Sequence, residues 1–342
     1  MTANVPAPRP RRAFPGIAPV TWEHPADRAA LQTLRAIPGV DEVIRKILGM
    51  LGGERGIRLL FQGGAVRVGP AQFPRLWQMH VEMCATFDQA HVPELYVTQT
   101  PVFNAGAYGI DDPFIVIHSA ALELLDEDEL RALLAHELGH VMSGHALYAT
   151  IAAILALVSL GALPFLAGVA ILPIKLAFLE WSRKSELTAD RAGLLGVQDP
   201  IVVQRKFLKM AGGGRGEWFT AAELNTEAFM AQAHEYAGSN EGLDLVYKFI
   251  NTVGLTHPLA TVRAGEIQAW VGTGEYDRIL RGEYIKRGTP EAERPLGEHA
   301  REARDYYADQ AREAAQHVAA AAKEAARKVG EAFKTARKTG TT

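Results

Sequence analysis

The pentapeptide His136-Glu137-Leu138-Gly139-His140 carries the zinc-binding pattern H-E-x-x-H, and it restricts the fold more than any other stretch of the chain. Two histidines four residues apart can hold one ion only if the segment is helical, because about 3.6 residues per turn then puts both imidazoles on one face. Glu137 is rotated about a quarter turn away, so that its carboxylate can reach a water on the same metal. The helix itself is well signalled. Asp126, Glu127, Asp128 and Glu129 precede RALLAHELGHVMSGHAL, and acidic residues in a first turn complement the helix dipole.

A catalytic zinc needs a third protein ligand and an open fourth position. His145 follows His140 by five residues, one short of the spacing in H-E-x-x-H-x-x-G-x-x-H, and Ser143 stands where that pattern has glycine. His145 therefore reads as a supporting or helix-end residue. Further on, Glu186 and Asp190 in SELTAD share a helical face. Glu186 can supply the third ligand, and Asp190, one turn along, can accept the free N–H of a ligating histidine. Without H-E-x-x-H the same two residues would read as a solvated charged face.

Between the two halves of this candidate site lie 29 residues without a charge, Ala146 to Ile174. By length alone the run could span a bilayer, but Gly161, Pro164 and Gly168 near its middle favour a turn between two short helices. If His140 and Glu186 hold one ion, the segment cannot cross a membrane an odd number of times. Two full crossings need about 40 apolar residues. The expectation is an apolar helical hairpin over 146–181, either dipping into a bilayer or buried in protein, with Tyr148, Lys175 and Trp181 suited to an interface.

Residues 1–20, with five prolines and three arginines, read as a disordered arm lacking the apolar core of a secretory signal. Pro25 to Gly53 reads as two helices, and IRLLFQ-GG-AVRVG as a β-hairpin. A helix is expected over Gln72–Ala90, with strands at LYVTQT and PFIVIHS. Helices are also expected over Glu180–Leu195, Ile201–Met210, Thr220–His234, Leu243–Asn251 and Thr261–Trp270. AGGGRG at 211–216 lacks the Gly-Lys-Ser/Thr of a phosphate cradle and reads as a loop. The residues from 286 onward form an alanine-rich helical tail, basic between Lys323 and Lys338, which could be a solvated helix or touch anionic lipid. The fold class is α+β, mostly helical with a small sheet, in a domain of 21–285. With 36 basic against 39 acidic residues the net charge is -3, which gives no support to nucleic-acid binding. The single cysteine, Cys84, excludes an internal disulfide or a cysteine zinc cluster and suits a reducing, cytoplasmic setting.

Four elements in order resemble the M48 peptidases, the gluzincin group that includes the HtpX and Ste24 proteases. They are Asn104-Ala105-Gly106-Ala107, similar to the family's N-A-x-A edge strand; H-E-L-G-H with Ser143-Gly144-His145; Glu186 with Asp190; and Thr256-His257-Pro258 followed by Arg263. The resemblance implies a zincin-type α+β fold and endopeptidase activity on protein or peptide substrates. It implies one zinc per chain, held by His136, His140 and Glu186, with Glu137 as general base. It further implies that Asn104 and Ala105 take up substrate backbone by strand addition, which favours extended or unfolded chains. His257 would steady the oxyanion and Arg263 would pair with Asp190, although a helix-start histidine and a surface arginine are the plain readings of those two. Analogy to HtpX suggests membrane-associated quality control on the cytoplasmic face. The alternative is a non-catalytic zinc scaffold working through its hairpin and tail; a different zinc hydrolase, such as an aminopeptidase, shows no recognition motif for a free N-terminus.

Overall fold

The structure is a computed structural model that describes residues 11–157, 171–214, 219–220, 223–239 and 258–292. Among these residues twelve α-helices surround one small sheet. The N-terminal helices are α1 (Pro25–Ala36), α2 (Val40–Leu51) and α3 (Gly53–Gln62). Strand β1 (Ala65–Arg67), α4 (Pro74–Thr86), β2 (Leu95–Thr98), β3 (Ala105–Tyr108) and β4 (Phe114–His118) follow. Then come α5 (Ser119–Leu124), α6 (Glu127–Met142), α7 (Ala146–Leu157), α8 (Ile171–Val197), α9 (Pro200–Gly212), α10 (Thr226–Gly238), α11 (Ala260–Gly272) and α12 (Glu275–Arg281).

The strand order is β1-β2-β4-β3, with β2 and β4 parallel and both outer pairs antiparallel. β3 pairs Ala105 with Ile117 and Tyr108 with Phe114, and is an edge strand. Alternation sends Leu95, Val97, Ala105, Ala107, Ile115 and Ile117 into the main core with α4, α6 and the end of α8. Tyr96, Phe114 and Val116 point the other way, onto Ile57 of α3.

The expected hairpin is corrected here. Ile57 to Gln62 is the second half of a helix, and only Ala65–Arg67 is a strand, paired with β2 rather than with its predecessor. Helical spacing puts Ile57 and Phe61 together on the sheet, whereas a strand would also have buried Leu59, which is 55% exposed. The expected arm is corrected from residue 11 on: Phe14 and Ile17 are fully buried, and the Phe14 ring lies tilted against Phe87 at 6.1 Å and edge-on to Tyr284 at 5.9 Å. Backbone bonds from Ala18 N–H to Ile285 and from Arg287 N–H to Gly16 tie this segment to the residues after α12. Residues 1–10, the tail beyond residue 292, the turn of the apolar segment and the helix expected at Leu243–Asn251 lie outside the described residues.

α7 and the start of α8, the two described pieces of the apolar segment, build a second core. Ile151, Ala152 and Leu155 of α7 meet Ile174, Phe178 and Trp181 of α8, and both pack on Ala30, Leu34, Val40, Val43 and Ile47 of α1 and α2. α8 begins nine residues earlier than the periodicity suggests, because its apolar start is covered by these helices. Trp181 is fully buried against Tyr148 and His145 rather than placed at an interface. Among the described residues no single helix is long and apolar enough to cross a membrane; α6 and α7 together pass by length but are bent by 100°.

The site depends on the crossing of α6 and α8, which small residues make unusually close. A Cβ on Gly139 would lie 2.5 Å from that of Ala192, and one on Gly196 2.3 Å from that of Ala135. Gly196→Val is therefore expected to separate the helices and destabilise the fold by about 1–3 kcal/mol or more. The midpoint of a urea transition checks this.

Candidate metal centre

α6 starts from a capping box, in which the Asp126 side chain accepts from the Glu129 N–H and the Glu129 side chain accepts from the Asp126 N–H. It runs buried from Glu129 to His140, and Glu129 is held by Arg205 and Lys209. The helix ends at Gly144, whose φ of +71° is the left-handed conformation that favours glycine. The chain thus doubles back, His145 N–H bonds the His140 carbonyl at 2.9 Å, and the His145 side chain comes to rest beside the His140 ring.

His136, His140 and Glu186 meet in the interior, with one ligand atom from each all within 4.8 Å of one another. Nε2 of His136 and Nε2 of His140 each stand 3.3 Å from a different Glu186 oxygen. Both Nδ1 atoms are engaged behind them: that of His136 by Asp190 at 3.1 Å, that of His140 by Nδ1 of His145 at 3.0 Å. Each imidazole therefore presents its Nε2 to the common point. Two nitrogens and a carboxylate, fully enclosed, with a buried Glu137 oxygen beside them that has no hydrogen-bond partner among the described residues, are a donor set suited to a divalent metal.

Positive charge closes the other side. Arg263 on α11 donates Nε–H and Nη2–H to the two oxygens of Asp190, both at 2.6 Å, and its Nη2 is 3.2 Å from Glu186. Lys206 on α9, also buried, stands 3.6 Å from Asp190. Burial disfavours the Asp190 anion, but Arg263 and Lys206 outweigh it and hold its carboxyl below the usual range. Burial also opposes a charged His136, yet Asp190 and Glu186 raise its pKa. For His140 burial wins and lowers it to about 4. For Glu137 burial wins in the other direction and lifts it to about 7.

β3 forms one wall of a narrow cleft of about 100 Å³, with Asn104 to Tyr108 facing Ala149, Ala152 and Ala153 of α7 and Glu137, His140 and Glu186 at its base. Its far end is clamped: Gly109 N–H donates to Thr150 of α7 at 3.2 Å, and Ile110 N–H to Glu54 of α3 at 2.6 Å. The structure thus brings together Glu137, His136, His140, Glu186, Asp190, Arg263, Asn104 and Ala105. His257 lies outside the described residues. Sequence reasoning missed the buried Lys206 and the cleft-lining Tyr108. Lys206 had a signal, being the one charge among the buried Val202, Val203 and Phe207 of its helix face.

The profile of Peptidase family M48 matches residues 70–271, more than half of the chain. The plastoglobule-localized chloroplast metallopeptidase 48 of Arabidopsis thaliana is 38% identical over 265 residues, covering 76% of this chain and 75% of that protein. The chain belongs to peptidase family M48. It is a metallopeptidase by that membership. Two further M48 relatives, HtpX protease homologues, match more locally: that of Tropheryma whipplei is 36% identical over 84 residues, 24% of this chain and 28% of the relative. That of Sulfurihydrogenibium sp. is 41% identical over 80 residues, 23% and 26%. The chain thus spans about a quarter of those HtpX homologues. No solved structure matches.

The raised Glu137 pKa fixes a pH dependence for the metal-free M48 fold. Below its ordinary value of 4.5 the carboxyl is protonated folded and unfolded and makes no difference. Between 4.5 and about 7 the unfolded chain ionises while the folded one does not, so rising pH costs stability, and above about 7 the loss is constant. His140 acts in the opposite sense over much of this window, so the comparison must be with a variant. In chelator, Glu137→Gln is expected to gain stability over the parent as pH rises from 4.5 to 7 and to hold the gain above, read from denaturant transitions across that range.

Proposed function

We propose that this M48 chain is a zinc-dependent endopeptidase with a zincin-type fold in which His136, His140 and Glu186 hold one zinc and Glu137 is the general base. The observation that carries the proposal is the convergence of two Nε2 atoms and the Glu186 carboxylate beside an unpartnered oxygen of Glu137. Zinc bound there would polarise the scissile carbonyl and bring the pKa of the attacking water to about 7. Glu137, whose unpartnered carboxylate oxygen lies beside the ligand atoms, would take the proton of that water and deliver it to the leaving nitrogen. Asp190 fixes the tautomer of His136, and Arg263 neutralises Asp190, so that neither ligand side chain can turn away.

Substrate enters as an extended segment added to the free edge of β3, with Asn104 and Ala105 at its start. Small side chains in Ala105-Gly106-Ala107 make few demands on the side chains of an added strand and favour unfolded or extended polypeptides of varied sequence. His257 steadies the developing oxyanion. A role in protein quality control on the cytoplasmic face of a membrane follows by analogy with HtpX, and the apolar helical hairpin over 146–181 is the contact. Leu172 and Leu176, one turn apart near the start of α8, are about half exposed and give that contact its apolar face.

The test pairs zinc content with cleavage of casein. The parent is expected to carry about one zinc per chain and to cleave; Glu137→Gln keeps the zinc and loses about 10²–10⁴-fold in rate; Glu186→Ala loses both. Zinc bound with no cleavage by any form would favour a scaffold. For the membrane contact, flotation should carry the parent up the gradient with the liposomes, and Leu172→Glu with Leu176→Glu should leave it at the bottom; equal flotation of both would remove the hairpin from the reading.

A further inference from the structure

Asp27 is a buried carboxylate that the catalytic scheme does not use. It sits in the first turn of α1, outside residues 70–271 that match the family profile. Only 3% of it is exposed, and no lysine or arginine among the described residues lies within ion-pair distance of it. A carboxylate in such a place is costly unless protons are directed at it. Two are. His145 Nε2 stands 3.0 Å from Asp27 Oδ2, and the Thr188 hydroxyl donates to the same oxygen at 2.7 Å. The Thr188 oxygen in turn accepts the His24 N–H at 2.9 Å, which leaves its proton free only for Asp27. Trp181 meets the His145 ring edge-on at 5.6 Å and holds it in place.

For a neutral His145 the rest follows from counting protons. The 3.0 Å contact between Nδ1 of His145 and Nδ1 of His140 requires one donor and one acceptor. With a neutral His145 giving its Nε2–H to Asp27, its Nδ1 is the acceptor, so His140 carries its proton on Nδ1. His140 Nε2 then offers a lone pair toward Glu186 and His136. The opposite arrangement would put a proton on His140 Nε2, where it blocks a metal.

We infer that Asp27 and His145 are positioning residues that fix the tautomer and orientation of His140 through the chain Asp27–His145–His140, so that the N-terminal helix α1 completes the metal centre. The inference rests on the proposed centre of His136, His140 and Glu186. It makes the two ligand histidines equivalent in design: His136 is backed directly by Asp190, His140 through a second imidazole by Asp27. Removing such support typically weakens metal affinity about 10–100-fold.

The experiment uses the full chain. Zinc affinity is measured by chelator competition, and the visible spectrum of the cobalt form is recorded, for the parent, Asp27→Asn, His145→Ala and the double variant. The expected result is a loss of about 10–100-fold in each single variant with a changed cobalt spectrum, and a double variant no weaker than His145→Ala, since links of one chain do not add. Parental affinity and spectrum in either single variant, or additive losses, overturn the inference. Nitrogen-15 spectra of the histidines in the zinc-loaded parent test it without any substitution: His145 should be protonated on Nε2 and His140 on Nδ1, and a His145 protonated on Nδ1 overturns it. A parent that binds no zinc would instead overturn the proposed centre, so the two failures are distinct.

Discussion

The close crossing of α6 and α8 is the constraint from which the rest of the molecule follows. Gly139, Gly193 and Gly196, with Ala132, Ala135, Ala189 and Ala192, let the two backbones approach until a methyl group on any of the glycines would press on its neighbour. At that separation the carboxylates of Glu186 and Asp190 reach the ring atoms of His136 and His140 directly. A larger residue in the crossing would leave the same side chains in the same helices without bringing them together. The site is thus a packing result before it is an electrostatic one.

Electrostatics then has to be settled inside the protein, because the crossing excludes water. Three buried carboxylates, Glu137, Glu186 and Asp190, face two buried cations, Arg263 and Lys206, among the described residues. Arg263 commits both of its forks to Asp190 and one of them also to Glu186, while Lys206 is nearest to Asp190. Glu137 has no such partner, and its burial, with the charge of Glu186 added, outweighs the nearby cations and lifts its pKa to about 7. A cation among the ligand atoms would favour the ionised carboxylates there.

The chemistry was more legible in the sequence than the fold. H-E-x-x-H and Glu186-x-x-x-Asp190 are local patterns on helices, and a helix transmits spacing into geometry without outside help. Arg263 was found through motif order and turned out to be buried, since its plain reading as a surface residue depends on neighbours that only the tertiary structure supplies. IRLLFQ was misread because six mostly apolar residues suit a strand and a helix equally, and the choice was made by Phe114 and Val116 across the sheet. The arm was misread for a similar reason. Proline and arginine suggest disorder by composition, but Phe14 finds Phe87 and Tyr284, and Arg11 finds Glu82 and Asp128, all distant in sequence.

That arm also closes the domain on itself. Residues 16–18 and 285–287 bridge in antiparallel fashion, with Phe14 inserted into the core just behind them. Neither end can fray alone, because releasing one strips the other of its partners and uncovers an aromatic cluster. Topologically the domain is close to a ring. Joining residues near 11 and 292 by a short linker and opening the chain in an exposed loop elsewhere should leave the same fold, a circular permutant whose new ends carry none of the burden now shared by Phe14 and Tyr284.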